Sequence, residues 1–373
     1  MNMNTNQIYA LVNSVTAQAL GSSAIAAVDA QGLVSLGNTV LSSQTNTEAF
    51  LNTLVQRIGR TILSYRRYTN KLSDLVVDDF TMGAILQKIK VSMPAAETDP
   101  AYSLTNGQSV DHYVVAKPVV HQKLFVTRTP YVFHVTVQRE TLREAFLSET
   151  ALGSFVSVIF GEVQNKIELA LEDLGRTAIA NYMAEIANSA REIKLVTNYN
   201  DNAATGSTVT ADNAMFDNAF LRYAVAQMQL YAKRFTDMST LYNDGTETRH
   251  TPKEDQRLRI LSEFATMLET VVDYAAFHDE YVKVKGYTEV NFWQSAQTPD
   301  QISIERASDG TATSLDNVIG ILHDRDALGM YKKDTDVLTT PVNAAGMYYN
   351  TYWHEKQLWF NDLSENAVIF TLN

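Results

Sequence analysis

The densest group of side chains able to do chemistry in this sequence is His323-Asp324-Arg325-Asp326. An imidazole and two carboxylates are metal-ligand types, but Arg325 stands where it can neutralise either aspartate, so a hydrogen-bonded turn is the better reading. The other histidines, at 112, 121, 134, 250, 278 and 354, are scattered, and none forms the i, i+4 pair that a helix offers to zinc. Asp78-Asp79 would serve acid–base chemistry only if the fold brought a further partner close. The Tyr-x-x-x-Lys spacing of some reductases occurs at Tyr113/Lys117, Tyr281/Lys285 and Tyr352/Lys356. All three fall in stretches that read as strand, no cofactor loop accompanies them, and chance accounts for them. No two of the 16 glycines are two apart, which excludes the dinucleotide fingerprints. Neither a Gly-Lys-Ser/Thr phosphate loop nor a Gly-x-Ser-x-Gly elbow occurs. With no cysteine, disulfides, thiolate chemistry and cysteine-bound zinc are impossible. A hydrolase built on unmarked carboxylates survives as an alternative, but the chain reads as a non-enzyme without a cofactor.

The totals bound the rest. A chain of 373 residues has room for roughly two domains or one elongated body. The hydrophobic fraction of 45% and charged fraction of 19% suit a folded, water-soluble chain. A net charge of −12 disfavours unspecific clamping of a phosphate backbone. No run approaches the ~18 apolar residues of a membrane span. No Lys or Arg precedes Arg57, so a secretory signal is not expected, and the cytoplasm of the producing cell is the default compartment.

The strongest positioning element is residues 152–186. Leu152, Phe155, Ile159, Val163, Ile167, Leu171, Leu174, Ala178, Tyr182 and Ile186 recur at three-and-four spacing, one face of a helix roughly 50 Å long. Ahead of it, residues 1–50 carry only Asp29 and Glu48 as charges. They read either as an arm lying across a neighbour or as plain helices packed on their own subunit. A helical stretch over 51–75 interleaves Arg57, Arg60, Arg66, Arg67 and Lys71 with Tyr65 and Tyr68. In so acidic a chain this strip suits a solvated face or a neighbour's carboxylates better than nucleic acid.

Strand patterns then take over at 85–91 and 113–126, the latter broken at Pro118, around a turn-rich 94–107. Together they read as a long antiparallel excursion that reaches out rather than folding back into a core. Residues 131–138 alternate as a half-buried strand, and Thr141 with Glu144 matches a capping box. Beyond the long helix, a break at 198–207 precedes a helix after Asp212 with Phe216, Phe220, Tyr223, Met228, Tyr231 and Phe235 as its stripe. Thr251-Pro252 with Glu254 predicts another helix start, lined by Leu258, Leu261, Phe264 and Leu268. Short strands are expected at 281–284, 289–293, 301–305 and 318–322. The tail reads as a β-hairpin, with strands at 347–360 and 367–372 around a turn at 361–366 and the last strand woven into the central sheet.

This order of parts resembles the major capsid proteins of tailed bacteriophages. The residues that carry the resemblance are the strand Pro130-Tyr131-Val132-Phe133-His134-Val135-Thr136-Val137 leading into Glu140-Thr141-Leu142-Arg143-Glu144-Ala145-Phe146, then the long helix. The late runs from Val318 to Tyr331 and from Thr340 to Tyr348 look like the family's closing segments. The resemblance implies an α+β fold, shared with encapsulins and herpesvirus capsid floor domains, and podophages with compact heads as the branch. It implies an N-terminal arm with a helical lead-in (1–79), an extended β-hairpin loop (80–136), and a spine helix in a peripheral domain (137–197). An axial α/β domain (198–337) and C-terminal strands returning to the peripheral domain (338–373) complete it.

By the same resemblance the chain would self-assemble as pentamers and hexamers into an icosahedral or prolate shell. That shell encloses double-stranded DNA in the virion, with scaffolding, portal or decoration proteins as partners and no membrane. An encapsulin-like compartment or another virion ring protein is the alternative within this class. The extended loop would lie over an adjacent subunit and the arm under another. Candidate subunit contacts are Arg57, Arg60, Arg66, Arg67, Lys88, Lys90, Lys123 and Arg128. Some relatives cross-link a loop lysine to a distant asparagine; Lys88 and Lys90 lie in the right region, but no residue singles out a partner.

Overall fold

The computed structural model describes residues 5–21, 26–58, 68–77, 86–92, 96–111, 113–125, 128–202, 208–271, 287–332 and 336–373. Three helices open the chain: α1 (Thr5–Leu20), α2 (Ala30–Leu41) and α3 (Gln44–Ile58). Asp29 caps α2 by accepting the Gly32 N–H at 2.6 Å. Ile8, Leu11, Val12 and Val15 of α1, Leu33, Leu36 and Val40 of α2, and Phe50, Leu51 and Leu54 of α3 are all buried in one core. Of the two readings open for residues 1–50, packed helices prevail over a free arm, because their apolar faces meet each other and the subunit's own long helix.

Two-residue β1 (Val76–Val77) is followed by β2 (Leu86–Ser92), β3 (Val119–Phe125) and β4 (Arg128–Gln138). Among the described residues, β2 and β3 pair only with each other, as an antiparallel ribbon. The strand predicted from residue 113 starts instead at Val119, directly after Pro118, which has no N–H to give a ladder. Next come α4 (Arg139–Ala145) and α5 (Glu149–Ile186). Thr141 lies inside α4, so the predicted capping box is not used; the cap position is Gln138, which makes no side-chain cap bond.

The long helix is real and slightly longer than its sequence pattern, at 38 residues or roughly 57 Å. Ser148 caps it by accepting the Ala151 N–H at 3.1 Å. The chain leaves it through Asn188, whose φ of 55° is the left-handed conformation that asparagine tolerates.

The second half contains β5 (Glu192–Lys194), α6 (Leu195–Asn202), α7 (Ala211–Ala214), α8 (Asn218–Arg234), β6 (Gln256–Leu261), α9 (Ser262–Val271) and β7 (Thr288–Val290). It continues with β8 (Ile302–Glu305), β9 (Ala312–Leu315), β10 (Val318–Asp324), β11 (Leu328–Lys332), β12 (Asp336–Thr339), β13 (Tyr348–Asn361) and β14 (Ala367–Thr371). On α8, Phe220, Met228 and the C-cap Phe235 are buried, whereas Phe216 precedes the helix and is exposed. The helix predicted after Thr251-Pro252 begins only at Ser262. Residues 256–261 form a strand, paired with β10 on one edge and β7 on the other, and Arg259 within it reaches a partner far away in sequence. The expected strand at 281–284 lies outside the described residues.

Two five-stranded sheets organise the body. One has the order β5-β14-β10-β6-β7 and packs between α8 and α9 on one face and the C-terminal half of α5 on the other. All of β10 and β14 is buried, as sheet strands covered on both faces must be. A register shift at Val318/Gly320 changes the alternation, so Ile319 joins the α8 side while Ile321 joins the α5 side. The other sheet has the order β1-β11-β13-β12, with β4 along the opposite edge of β13. The predicted terminal hairpin does not form: β13 and β14 lie in different sheets, and the turn between them carries the chain from one to the other. The last strand nevertheless sits inside a sheet, between β5 and β10.

Candidate assembly interface

In a strand, successive side chains point to opposite faces, and residues directly opposite in a pair share a face. The β2–β3 register sets Lys88 opposite Lys123, Lys90 opposite His121, Ile89 opposite Gln122, Val91 opposite Val120 and Gln87 opposite Leu124. The ribbon thus has one cationic face and one apolar face. On the apolar face Ile89, Val91, Val120 and Leu124 are 60%, 57%, 61% and 54% exposed. The connecting segment is more open still: Tyr102 and Tyr113 are 93% and 85% exposed, and Val114 and Val115 are exposed beside them.

The cationic face turns onto the chain's own body. Lys88 Nζ lies 2.7 Å from both Asp362 and Glu365, and Lys90 Nζ lies 2.8 Å from Glu365 and 3.4 Å from Asp362. Lys90 also donates to the Ser364 hydroxyl. Lys123 Nζ is 2.9 Å from Asp362 and 3.6 Å from Asp244, and His121 Nε2 is 3.5 Å from Glu247. Asp362 is fully buried, and its other bonds come from the N–H and hydroxyl of Ser364. Burial alone would raise its carboxyl, but Lys88, Ser364 and Lys123 outweigh that and hold it well below the usual carboxylate range. Glu365 is lowered for the same reason: the lysines overcome the burial. Lys88 shows the mirror image, pushed down by burial but raised on balance by Asp362 and Glu365. At the ribbon's base Phe125 meets Phe360 of β13, with ring centroids 5.2 Å apart.

The eight predicted contact residues therefore separate. Lys88, Lys90 and Lys123 come together, but on their own subunit's carboxylates rather than as free cations. Arg57 lies in α3, and the backbone of Arg128 pairs with Leu358 at the start of β4. Arg60, Arg66 and Arg67 lie outside the described residues. The partners Asp244, Asp362 and Glu365 were missed by sequence reasoning. The signal available was two carboxylates and a serine in the turn 361–366, read only as turn chemistry.

The His323 group is a hydrogen-bonded and ion-paired network, with His323 and Asp324 buried and Arg325 and Asp326 exposed. Arg259 is fully buried, pairs with Asp74 at 2.5 Å and donates from Nε to His323 Nε2 at 3.2 Å. Arg325 pairs with Asp255 at 3.1 Å and Asp326 at 3.4 Å. Asp324 does not need it, because the Thr251 hydroxyl and the Asp326 N–H donate to it at 2.7 and 2.8 Å. Of the three Tyr-x-x-x-Lys pairs, Tyr113/Lys117 lies in the open connecting segment and Tyr281/Lys285 outside the described residues. Lys356 of the third pair faces Asp336 at 3.2 Å.

A long helix flanked by two sheets, with a separate two-stranded ribbon laid by one face on the body, defines the class: a mixed α+β chain with the fold of phage capsid proteins. A chain of the capsid structure of Staphylococcus phage Andhra superposes with a TM-score of 0.54 at 10% identity, covering 84% of this chain and 87% of that one. A chain in the structure of the head fiber and inner core protein of native bacteriophage P68 gives the same score, identity and coverage. The family is then set by sequence. The model of the Phi29-like phage major capsid protein family matches residues 12–371, and the chain belongs to that family. The major capsid proteins of Bacillus phages PZA and B103 are 23% and 22% identical to it, over 91% and 92% of this chain and 67% of each relative. That of Streptococcus phage Cp-1 is 24% identical over 61% of this chain and 60% of the relative. The chain is a structural component of the phage head shell, not an enzyme.

Proposed function

We propose that copies of this chain tile a closed icosahedral or prolate head as pentamers and hexamers, with the ribbon of each subunit laid by its apolar face on an adjacent copy. The observation that carries this reading is the row Ile89, Val91, Val120 and Leu124, turned to solvent on a ribbon that joins no other strand among the described residues. An apolar row on a projecting ribbon gains by being covered, and each copy in a shell supplies the cover for the next. Many modest contacts then add up through avidity. In this arrangement the long helix and the β4–β13 strand pair belong to the peripheral region, and residues 198–337 to the axial one. The acidic balance, −12 per copy, suits a wall that encloses double-stranded DNA without gripping it. Scaffolding, portal and decoration proteins are its expected partners.

The variant Ile89→Asp/Leu124→Asp tests the contact. The subunit should fold with the wild-type unfolding midpoint yet give no closed particles by electron microscopy. Shells of normal yield and diameter from this variant would refute the ribbon contact.

A further inference from the structure

We propose that Lys88, Lys90 and Lys123 are positioning residues: with Asp244, Asp362 and Glu365 they form an ionic latch that sets the angle at which the ribbon's apolar face meets a neighbouring copy. This rests on the reading of the ribbon as an intersubunit contact. It adds that the ribbon is first a ligand of its own subunit.

Three observations converge on the latch. A two-stranded ribbon is marginal on its own in water, so something outside it must hold it. Lys88 and Lys123 stand directly opposite each other across the strand pair, an arrangement that repels unless an anion lies between them. Asp362 lies there, its carboxylate oxygens 2.7 and 2.9 Å from the two ammonium groups. Conversely, Asp362 is fully buried, and a buried carboxylate is tolerated only where cations and donors answer it. Three lysines meet three carboxylates, which leaves the cluster close to neutral, and the His121–Glu247 pair continues the row. Each side is thus unfavourable without the other.

The latch also decides which way the ribbon faces. With the even-numbered residues of β2 committed to the body, Ile89 and Val91 have to point away from it. The carboxylates come from two separate places, the turn after β13 and the 239–249 loop, so one ribbon position satisfies both. Because the tie is mainly ionic, it is sensitive to charge in a way that a packed apolar seam is not.

The test uses the free subunit and the assembly reaction side by side. Lys88→Met/Lys90→Met removes the charges while keeping most of the side-chain length, and Lys88→Arg/Lys90→Arg keeps the charges. Hydrogen exchange in the unassembled subunit should show amides of 87–92 and 119–125 losing at least tenfold protection in the Met variant. The amides of β10 and β14 should stay unchanged, and the Arg variant should behave as wild type. Closed shells should fall at least tenfold in yield with Met and recover with Arg. Unchanged ribbon protection in the Met variant would overturn the latch. So would loosened ribbons that still close shells of normal yield and diameter. Failure of the underlying reading looks different: there Ile89→Asp/Leu124→Asp assembles normally whatever the exchange data show.

Discussion

The Tyr68 phenol donates to the Glu172 carboxylate at 2.5 Å, tying the segment after α3 to the middle of the long helix. Glu172 also takes Arg176 at 2.5 Å and the Lys71 N–H at 3.2 Å, and the Arg176 guanidinium lies 3.9 Å over the Phe292 ring. Burial and the adjacent carboxylate push the Tyr68 phenol up to about 12. Burial would raise Glu172, but Tyr68, Arg176 and the Lys71 N–H more than reverse it, so the carboxylate stays ionised. Removing it strands a buried arginine. Glu172→Ala should cost about 3 kcal/mol or more and Tyr68→Phe about 1 kcal/mol, read from urea unfolding midpoints of the subunit.

His323 gives the fold an acid-sensitive point. Burial, then the neighbouring Arg259, lower its pKa from 6.5 to about 3, so it stays neutral in the folded chain while the unfolded chain takes up a proton below 6.5. The unfolded state then binds more protons, and stability falls as pH drops through this window. Between pH 7 and pH 5 the loss from this residue should be on the order of 2 kcal/mol. His323→Gln should flatten that part of the stability profile; an unchanged slope would exclude His323 as its source.

Gly37 of α2 faces Phe146, and a Cβ there would sit 2.7 Å from the phenylalanine Cβ. If the N-terminal helices pack on their own subunit before assembly, Gly37→Leu should destabilise the isolated subunit by about 1–3 kcal/mol or more through overpacking. A free arm would leave the unfolding midpoint where it was.

Ile167 is buried near the middle of α5. Ile167→Pro removes a helix hydrogen bond and clashes with the preceding turn, at a cost of about 3 kcal/mol or more. Since α5 contributes to two of the cores, the variant should fail to give soluble, cooperatively unfolding subunit.

Local pattern made α5 legible almost to its ends, because its apolar face repeats through the whole helix, although its cap Ser148 went unread. The ribbon was equally legible: β-branched residues bounded by Pro118 and a turn-rich link need no distant partner to read as a strand pair. What local pattern could not carry was partner choice. Residues 256–261 offer Leu258 and Leu261 at helical spacing, yet Arg259 belongs to Asp74, 185 residues away. The turn 361–366 looks like a hairpin turn, but β13 and β14 find other partners on both sides. The ribbon lysines stood out in the sequence only as candidate contacts to another subunit, while the carboxylates they meet on their own chain lie more than 120 residues further along, outside any sequence window.

Cryo-electron microscopy of heads assembled from this chain measures the central claim directly, through the surroundings of Ile89, Val91, Val120 and Leu124. All four should lie beneath a neighbouring copy, with Lys88 and Lys123 still on Asp362 of their own subunit. Closed heads in which those four side chains face solvent would contradict the account.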